Sequence, residues 1–324
     1  MPELPEVETV KQGLNQTTLN AKILGGDVLL ERTIAHPFSM SEFVQGLEGR
    51  VISQWHRRGK YLLAELTQAD GEFQALGSRS QGLQEGQITA SSLFNPEKIV
   101  SSAGWLGVHL RMTGQLLWVS PDQPLEKHCR VRLFFQSSWS SSLQNRWELR
   151  FVDQRTFGQM WWVPPGQAPA EIITGLQQLG PEPFDPKFSV NYLTTQLHSR
   201  QRPIKNALLD QRLVAGIGNI YADEALFLSG IQPTVLCSQL KRQQIQALHS
   251  QICTVLQNAI QVGGTTIRNF LNVAGLNGNY GQTAWVYNRA GKPCRVCGTP
   301  IQRLKLAGRS AHFCPVCQKS ASGR

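Results

Sequence analysis

The spacing of hydrophobic positions changes along the chain and predicts two differently built regions. Before residue 165, short apolar or alternating runs such as KYLLAEL, GWLGVHLRM and FGQMWWV are separated by Gly, Pro and Asp. Such runs predict β-strands packed as a β-sandwich or barrel. Ahead of them, Val7, Val10 and Leu14 fall on one face of a short helix predicted over residues 5–14.

After a Pro-rich connection, a helical pattern begins at about residue 188. The clearest predicted helix runs from Ser238, its expected N-cap, to Gly263 and Gly264. Two stretches rich in Ser, Gln and Gly, residues 71–103 and 137–146, predict loops, and the first is long enough to be an insertion. We therefore expect a β-rich domain over 1–165, a linker over 166–187, a helical domain over 188–283 and a small cysteine-containing unit over 284–324.

The positive charge of the chain is concentrated towards its C-terminal end. The net charge is +10, yet no Asp or Glu follows Glu224, and eleven Lys and Arg residues lie in that segment. Such a region is typical of a protein that binds a polyanion, and nucleic acid fits better than lipid because no basic amphipathic helix is evident. No apolar run approaches the about 20 residues of a membrane span, and the N-terminus has no targeting pattern, so a cytoplasmic protein is expected.

Four of the seven cysteines form two pairs with the spacing of a metal-binding finger. Cys294 and Cys297, followed by Cys314 and Cys317, give C-x2-C-x16-C-x2-C. Each pair can supply two corners of a tetrahedron, and the residues between the pairs suit a β-hairpin. We therefore expect one structural Zn²⁺ ion in a zinc ribbon. The alternative, four unconnected thiols in a reducing compartment, explains the spacing less well.

The first ten residues, MPELPEVETV, place carboxylates next to the amino terminus. If Met1 is removed, Pro2 becomes the terminal residue. Its α-amine would titrate near about pH 8, so that more of it is nucleophilic at neutral pH than of a lysine amine. Glu3 and Glu6 are close to it in sequence. Proline and acidic residues also suit the first turn of a helix, and the stretch taken alone favours a helix start over an active site.

Other motifs each admit a structural and a functional interpretation. The glycines in GIGNIY fit a phosphate seat at a helix start or an ordinary packing turn. Lys60, in HRRGKYLL, fits a solvated strand start or a phosphate contact. Arg155 and Phe157, in DQRTFG, fit a packed corner or a wedge in a base stack. His109 and Met112, in HLRM, fit core positions or a binding surface.

Together and in this order, the motifs resemble those of the bacterial formamidopyrimidine-DNA glycosylases. The matching segments extend over nearly the whole chain and are MPELPEVETV, RRGKYLL, HLRMTG, DQRTFG, LGPEP, GIGNIYADE and the CRVCG and CPVC pairs. The resemblance implies an α+β fold with an N-terminal β-sandwich, a helix-two-turn-helix domain with a lesion loop over 188–283, and a zinc-ribbon β-hairpin finger. The sister endonuclease VIII group shares the chemistry and the finger but usually starts with a different tetrapeptide.

The resemblance also implies roles for five catalytic residues. Pro2 would be the nucleophile, and Glu3 the general acid and base. Glu6 would be a second carboxylate that orients protons or water. Lys60 would bind the phosphate next to the lesion, and Arg309, in the finger, would bind phosphates around the everted nucleotide.

The same likeness implies five DNA-contacting residues. His109 and Asn219 would assist at the phosphate next to the lesion. Met112, Arg155 and Phe157 would fill the space that the everted nucleotide leaves in the duplex, with Arg155 facing the orphaned cytosine.

The activity implied by the resemblance is excision of oxidised purines, such as 8-oxoguanine and formamidopyrimidines, from damaged duplex DNA, followed by strand cleavage through an iminium at Pro2. It implies a monomer that needs no nucleotide cofactor, does not bind membranes and works in the bacterial cytoplasm on nucleoid DNA. Two alternatives stay open: a non-catalytic zinc-finger DNA-binding protein, and a lyase-dominated enzyme acting on abasic sites or oxidised pyrimidines. Base preference is open because HLRM replaces the commoner HLGM, VYNR replaces VYGR, and the 71–103 insertion is unusual.

Overall fold

The computed structural model describes residues 1–68, 102–136, 146–265 and 280–320. These residues divide into two compact units, one with residues 1–2 and 7–177 and the other with residues 3–6, 178–265 and 280–320. The predicted insertion at 71–103 lies outside the described residues except for its last two. Residues 137–145 of the second predicted loop also lie outside them, as do residues 266–279, where the expected lesion loop begins.

The first unit is built on a nine-stranded sheet in the described residues, with the order β2-β9-β5-β4-β3-β1-β7-β8-β6. All neighbours pair antiparallel except β2 and β9. The strands are β1 (Lys22–Val28), β2 (Ile34–His36), β3 (Arg50–Arg58), β4 (Tyr61–Gln68), β5 (Trp105–His109), β6 (Gly114–Val119), β7 (Cys129–Gln136), β8 (Arg146–Asp153) and β9 (Gln159–Val163).

One hydrophobic core holds this sheet together. It combines side chains from distant strands, such as Leu116 on β6 and Met160 on β9, with Val7, Val10 and Leu14 of the first helix. Because residues from both ends of the sheet share one core, the sheet folds over itself into two layers. The predicted β-sandwich with an N-terminal helix is confirmed, and the apolar stripe predicted for that helix is buried.

Helices accompany the sheet in the first unit and build most of the second. In the first unit they are α1 (Leu4–Thr17), apart from its first three residues, and α2 (Met40–Leu47), α3 (Pro169–Ile172) and α4 (Thr174–Gln177). The following helices are α5 (Val190–His198), α6 (Ile204–Leu208), α7 (Asn219–Leu228), α8 (Arg242–Gln261) and α9 (Tyr280–Thr283). The sequence placed the start of α1 one residue late and its end three residues early.

Helix α8 starts later than the sequence indicated. The predicted N-cap Ser238 was wrong: it lies in a short 3-10 turn, Cys237–Gln239, and its hydroxyl donates to Oε1 of Gln201 at 2.9 Å. The side chain of Gln244 instead accepts a hydrogen bond from the backbone N–H of Lys241 at 2.9 Å, and the helix begins at the next residue. The predicted apolar stripe of this helix is buried in the core of the second unit.

The second unit ends in a β-hairpin formed by β10 (Gln302–Leu306) and β11 (Arg309–Phe313). Ala307 and Gly308 form its two-residue turn with φ of +44° and +78°. Two successive left-handed residues are what a type I′ hairpin turn requires. This confirms the β-hairpin finger expected between the two cysteine pairs. Within the described part of the chain, no helix combines the length and apolar character needed to cross a membrane.

Candidate functional site

The carboxylate of Glu3 caps the start of helix α7. Oε1 accepts a hydrogen bond from the N–H of Ile220 at 2.9 Å, and Oε2 accepts a longer one, at 3.4 Å, from the N–H of Tyr221. The first N–H groups of a helix have no partner inside the helix and form the positive end of its dipole. Glu3, only 3% exposed, therefore takes the place that an N-cap side chain usually fills.

Gly218 makes room for this contact. It is the N-cap residue of α7, with an extended backbone at φ −136°. A Cβ added there would lie 2.3 Å from Cδ of Glu3, so only glycine leaves space for the carboxylate. The sequence left a phosphate seat and a packing turn open for this segment. In the structure, the N–H groups of Ile220 and Tyr221 donate to a carboxylate of the protein itself.

Glu6 is the second buried carboxylate, and its contacts differ from those of Glu3. Oε1 accepts hydrogen bonds from the N–H of Thr265 at 2.7 Å and the hydroxyl of Tyr221 at 2.5 Å. Oε2 accepts one from the N–H of Glu3 at 2.8 Å. Burial, together with the charge of Glu3, raises the pKa of Glu6 to about 7 against the opposing effect of the three donors. Glu6 can therefore change protonation state near neutral pH.

Sequence reasoning missed Tyr221 and Thr265. Both belong to the same set of contacts as the two carboxylates, although they are more than 200 residues away along the chain. Gly264, with φ of +76°, brings the chain close to Glu6, because an added Cβ would lie 2.9 Å from its Oε1. No local pattern could have identified these partners, although Tyr221 does stand inside the GIGNIYADE segment.

Two further predicted residues adjoin these groups: Pro2 precedes Glu3 in the sequence, and Asn219 lies at the start of α7. Pro2 is buried, and because the structure includes Met1, its nitrogen lies in a peptide bond. Asn219 is the first residue of α7. Its Oδ1 is buried and has no hydrogen-bond partner among the described residues. The NH₂ group of the same side chain offers two hydrogen-bond donors.

In the first unit, Lys60 and His109 lie at the ends of neighbouring strands. Lys60 follows Gly59 in the turn between β3 and β4, and His109 pairs with Tyr61 across β4 and β5. Burial and, to a smaller extent, the charges of Arg111 and Lys60 together lower the pKa of His109 to about 3. Its Nδ1 accepts a hydrogen bond from the N–H of Arg111 at 2.9 Å, so the neutral ring carries its proton on Nε2.

Arg155 and Phe157 lie on an exposed loop that Asp153 holds in shape. Oδ2 of Asp153 accepts a hydrogen bond from the N–H of Gly158 at 2.7 Å, and Oδ1 accepts one from the N–H of Arg155 at 3.3 Å. The guanidinium of Arg155 lies 5.1 Å from the ring centre of Phe157, and that ring is 53% exposed. An exposed aromatic ring on a rigid loop is available for an external contact.

Met112 is connected to the same loop through its neighbour Thr113. The Thr113 hydroxyl donates to Asp153 and accepts a hydrogen bond from the N–H of Arg155 at 3.0 Å. Arg111, on the other side of Met112, adopts φ of +52°. Glycine adopts this region without strain, which gives a physical reason why HLGM is the commoner sequence. Asp153 and Thr113 are further residues that sequence reasoning missed.

Arg309 is exposed at the start of β11, and its side chain has no hydrogen bond or ion pair with the rest of the described chain. The strand itself is held by a buried network. Nζ of Lys205 contacts Oδ1 of Asp223 at 2.6 Å and donates to the carbonyl of Ser310 at 2.5 Å. Oδ2 of Asp223 accepts hydrogen bonds from the N–H and Nδ1 of His312 at 2.9 and 3.1 Å. Helix α7 is thus bonded to the finger strand.

The four predicted cysteine ligands form one cluster, with all sulfurs within 4.8 Å of one another. The Sγ atoms of Cys294 and Cys317 are 3.8 Å apart, and those of Cys297 and Cys314 are 3.5 Å apart. Zn–S bonds of about 2.3 Å in a tetrahedron require sulfur–sulfur distances of about 3.8 Å. The cluster therefore has the ligands and dimensions of a structural metal site.

The predicted residues thus form several local groups. Glu3, Glu6 and Asn219 lie at the start of α7 in the second unit, and the finger carries Arg309. The other predicted residues, which belong to the first unit, are Pro2, Lys60, His109, Met112, Arg155 and Phe157.

Comparisons with known proteins cover nearly the whole chain. The formamidopyrimidine-DNA glycosylase N-terminal domain matches residues 1–160, the formamidopyrimidine-DNA glycosylase H2TH domain matches residues 179–271, and the zinc finger found in FPG and IleRS matches residues 291–319. The formamidopyrimidine-DNA glycosylase of Trichodesmium erythraeum is 61% identical over 320 residues, which are 98% of this chain and 100% of that protein.

Solved structures from Lactococcus lactis are similar throughout. The complex of Fpg with DNA containing an abasic site has a TM-score of 0.79 and 32% identity, covering 98% of this chain and 99% of that one. The complex of an FPG mutant with DNA containing Fapy-dG has a TM-score of 0.79 and 32% identity, covering 98% of this chain and 100% of that one.

Proposed function

We propose, from the premise that this chain belongs to the formamidopyrimidine-DNA glycosylase family, that it excises oxidised purines from duplex DNA and then cleaves the strand. The substrates we propose are 8-oxoguanine and formamidopyrimidine lesions. Relatives of this chain bear the name of that activity, and similar solved structures hold DNA with Fapy-dG or an abasic site.

The observation that carries the proposal is the pair of buried carboxylates next to Pro2 in sequence. Glu3 receives two N–H groups at a helix start, whereas Glu6 has a pKa raised by burial to about 7. Two carboxyl groups in unlike environments can take different roles at one pH, and we assign proton transfer to Glu3 and the orientation of protons or water to an ionised Glu6. A non-catalytic DNA-binding protein would have no use for two buried carboxylates at its terminus, since burying them costs stability.

The proposed reaction begins once Met1 is removed and the Pro2 nitrogen is a free secondary amine. Its lone pair attacks C1′ of the sugar, and the base leaves with the bonding electrons and takes up a proton from the Glu3 carboxyl. The ammonium formed at C1′ then gives its proton to the Glu3 carboxylate, the C1′–O4′ bond breaks and O4′ takes up that proton. This opens the sugar ring and leaves a cationic iminium, whose charge acidifies the C2′ proton. Loss of that proton releases the 3′ phosphate, a second elimination releases the 5′ phosphate, and hydrolysis frees Pro2.

Binding is proposed to evert the damaged nucleotide, because a base inside the stack is out of reach of the nucleophile. Unstacking costs a few kcal/mol, roughly, which phosphate contacts and inserted side chains offset. We assign Lys60, His109, Asn219 and Arg309 to phosphates. Met112, Arg155 and Phe157 are proposed to fill the space that the everted nucleotide leaves in the duplex.

We propose that the metal of the cysteine cluster is a single Zn²⁺ ion. Four thiolates at tetrahedral spacing suit zinc, which binds such sites without redox chemistry. Cys294 and Cys297 would hold it from one turn and Cys314 and Cys317 from the other. Its contribution would be structural: it would keep the hairpin that carries Arg309 folded.

The remaining expectations are proposals of the same kind. We propose that the protein acts as a monomer on damaged duplex DNA, needs no nucleotide cofactor and works in the cytoplasm on nucleoid DNA. We retain the division into domains over 1–165 and 188–283, a linker between them, and a finger over 284–324.

The test is a strand-nicking assay with four duplexes that contain 8-oxoguanine, a formamidopyrimidine, an oxidised pyrimidine or an abasic site. The proposal predicts nicking at both purine lesions and at the abasic site, with the oxidised pyrimidine much slower. Preference for the pyrimidine would favour the endonuclease VIII type of substrate. Binding without nicking of any duplex would favour a non-catalytic finger protein.

A further inference from the structure

Tyr221 contacts both catalytic carboxylates, through two different groups. It is the third residue of α7 and is buried. Its backbone N–H donates to Oε2 of Glu3 at 3.4 Å, and its hydroxyl donates to Oε1 of Glu6 at 2.5 Å. One residue therefore connects the helix start that holds Glu3 to the side chain of Glu6.

The hydroxyl proton of Tyr221 has a defined direction. The hydroxyl oxygen also lies 3.1 Å from Oγ1 of Thr265, which can donate a proton to it. The tyrosine proton is then free for Glu6. An O–H group that donates to a carboxylate oxygen forms a short, charge-assisted bond that is stronger than a bond between neutral groups. Both backbone donors to Glu6, the N–H groups of Thr265 and Glu3, would remain if this hydroxyl were removed.

Among the described residues, the titratable groups that face Glu6 can be named. Glu3 and Tyr221 face it directly, and Tyr280 lies beyond, with its ring centre 5.3 Å from that of Tyr221. Burial raises the pKa of Tyr280, and the charges of Glu224 and Glu6 raise it further, so this phenol stays neutral. The hydroxyl of Tyr221 is therefore the one side-chain donor to Glu6 among the contacts described above.

We propose that Tyr221 is a positioning residue of the active site, which fixes the orientation of Glu6 relative to Glu3 and keeps Glu6 ionised for the reaction. This inference rests on the proposed function, because it assigns Tyr221 a role in that reaction. Tyr221 acts through Glu6 and requires no contact with DNA. Its backbone bond to Glu3 does not depend on its side chain, so replacing the hydroxyl alone changes the setting of Glu6 and leaves that of Glu3.

The test is Tyr221→Phe, which removes one oxygen and keeps the ring and the backbone donor. Loss of a hydrogen bond to a charged group should raise the titration midpoint of Glu6 by about one unit. Excision of 8-oxoguanine under single-turnover conditions should fall by about fivefold at pH 7 and by about tenfold at lower pH, and its acid limb should move up by about one pH unit. The KM for the duplex should stay within about twofold, since no phosphate contact is lost.

Tyr192→Phe is the matched control. It also removes a tyrosine hydroxyl from the second unit, in this case from a half-buried side chain, and that hydroxyl donates to the carbonyl of Leu213 at 3.0 Å. A purely structural effect of losing a hydroxyl would appear in both variants as lower thermal stability. The shift of the acid limb should appear only in Tyr221→Phe, and it should vanish when Glu6→Gln is combined with it.

Direct titration of the Glu6 carboxyl distinguishes failure of the Tyr221 role from failure of the proposed function. Its carboxyl carbon, labelled with ¹³C, can be titrated by NMR in the wild type and in Tyr221→Phe. An unchanged midpoint in a wild-type enzyme that excises 8-oxoguanine would overturn the role of Tyr221 and leave the proposed function intact. A wild type that leaves every lesion uncut would overturn the proposed function and the positioning role together, whatever the midpoint.

Discussion

Gly218 stands where any side chain would collide with the carboxylate of Glu3. Gly218→Ala puts a methyl group 2.3 Å from Cδ of Glu3, so the carboxylate must move. A displacement of about 1 Å at a reacting group can cost about 100-fold in rate. We therefore expect excision by Gly218→Ala to fall by about that factor, measured in single-turnover assays on an 8-oxoguanine duplex.

Gly180→Ala provides the control, because its new Cβ would also clash, 2.4 Å from the carbonyl of Arg212 in the same unit. Both variants should lower the melting temperature, but only Gly218→Ala should lower the rate in the folded protein. Equal rate losses would mean that Gly218 matters only for packing.

His109 should act as a neutral donor over the physiological pH range. Its pKa is lowered to about 3, whereas an unfolded histidine takes up a proton at about 6.5. The folded state therefore binds fewer protons than the unfolded state below that pH, and His109 should cost stability as pH falls through about 6.5. Above that value it contributes no such penalty.

The same neutrality predicts how His109 and Lys60 differ in DNA binding. Lys60→Ala should reduce the slope of log K against log salt by about 0.9, because a cation on phosphate releases counterions. His109→Gln keeps an N–H donor and should leave that slope unchanged at pH 6 and pH 8. Binding titrations between 50 and 200 mM salt, roughly, measure both. A wild-type slope that steepens from pH 8 to pH 6, but not in His109→Gln, would mean that His109 binds as a cation.

At the level of single residues, sequence could identify candidates but not their environments. Glu3 and Glu6 attract attention because they stand beside Pro2. The donors that make them unlike, on Tyr221 and Thr265, are brought there by folding over more than 200 residues. Their assigned roles remain predictions that the proposed experiments test.

At the level of helices and strands, the spacing of hydrophobic residues predicted the type of an element better than it predicted where the element begins and ends. The strands of the first region and the buried stripe of α8 could be predicted because their apolar residues recur at the spacing that places them in a core. The start of α8 was wrong because Ser238 bonds Gln201 instead of the helix. The order of strands in the sheet depends on pairings between distant segments, which one sequence does not reveal.

A buried ion pair, Lys205 with Asp223, joins α6 to α7, and both of its residues hydrogen-bond to the finger strand. This contact can be tested. Asp223→Asn removes the charge partner of Lys205, whose ammonium is fully buried. Breaking such a pair should cost about 3–5 kcal/mol in free energy of unfolding. Asp210→Asn is the control, since its pair with Arg202 is partly exposed and should contribute less than about 1 kcal/mol. Chemical denaturation measures both, and equal losses would mean that the Lys205 contact has no special weight.

For the molecule as a whole, the family resemblance predicted from ordered motifs is confirmed by relatives that match the chain from end to end.

The positive C-terminal segment gives a second whole-molecule prediction. Arg309→Ala should flatten the salt slope by about 0.9 and weaken binding to all lesions similarly. Lys11→Ala is the control, because Lys11 is paired with Glu8 at 2.6 Å. A loss confined to one base type would make Arg309 a reader of bases.

The central claim is that Pro2 forms a covalent bond to the sugar, and borohydride trapping tests it most directly. Protein whose Met1 removal has been verified by mass is mixed with an 8-oxoguanine duplex and borohydride, and the adduct is digested and mapped. The account predicts an adduct on the peptide that contains residue 2. It predicts none for a form that retains Met1, because an amide nitrogen is not nucleophilic, and it allows some trapping in Pro2→Gly. An adduct mapped to Lys60, or one formed equally well with Met1 attached, would contradict it.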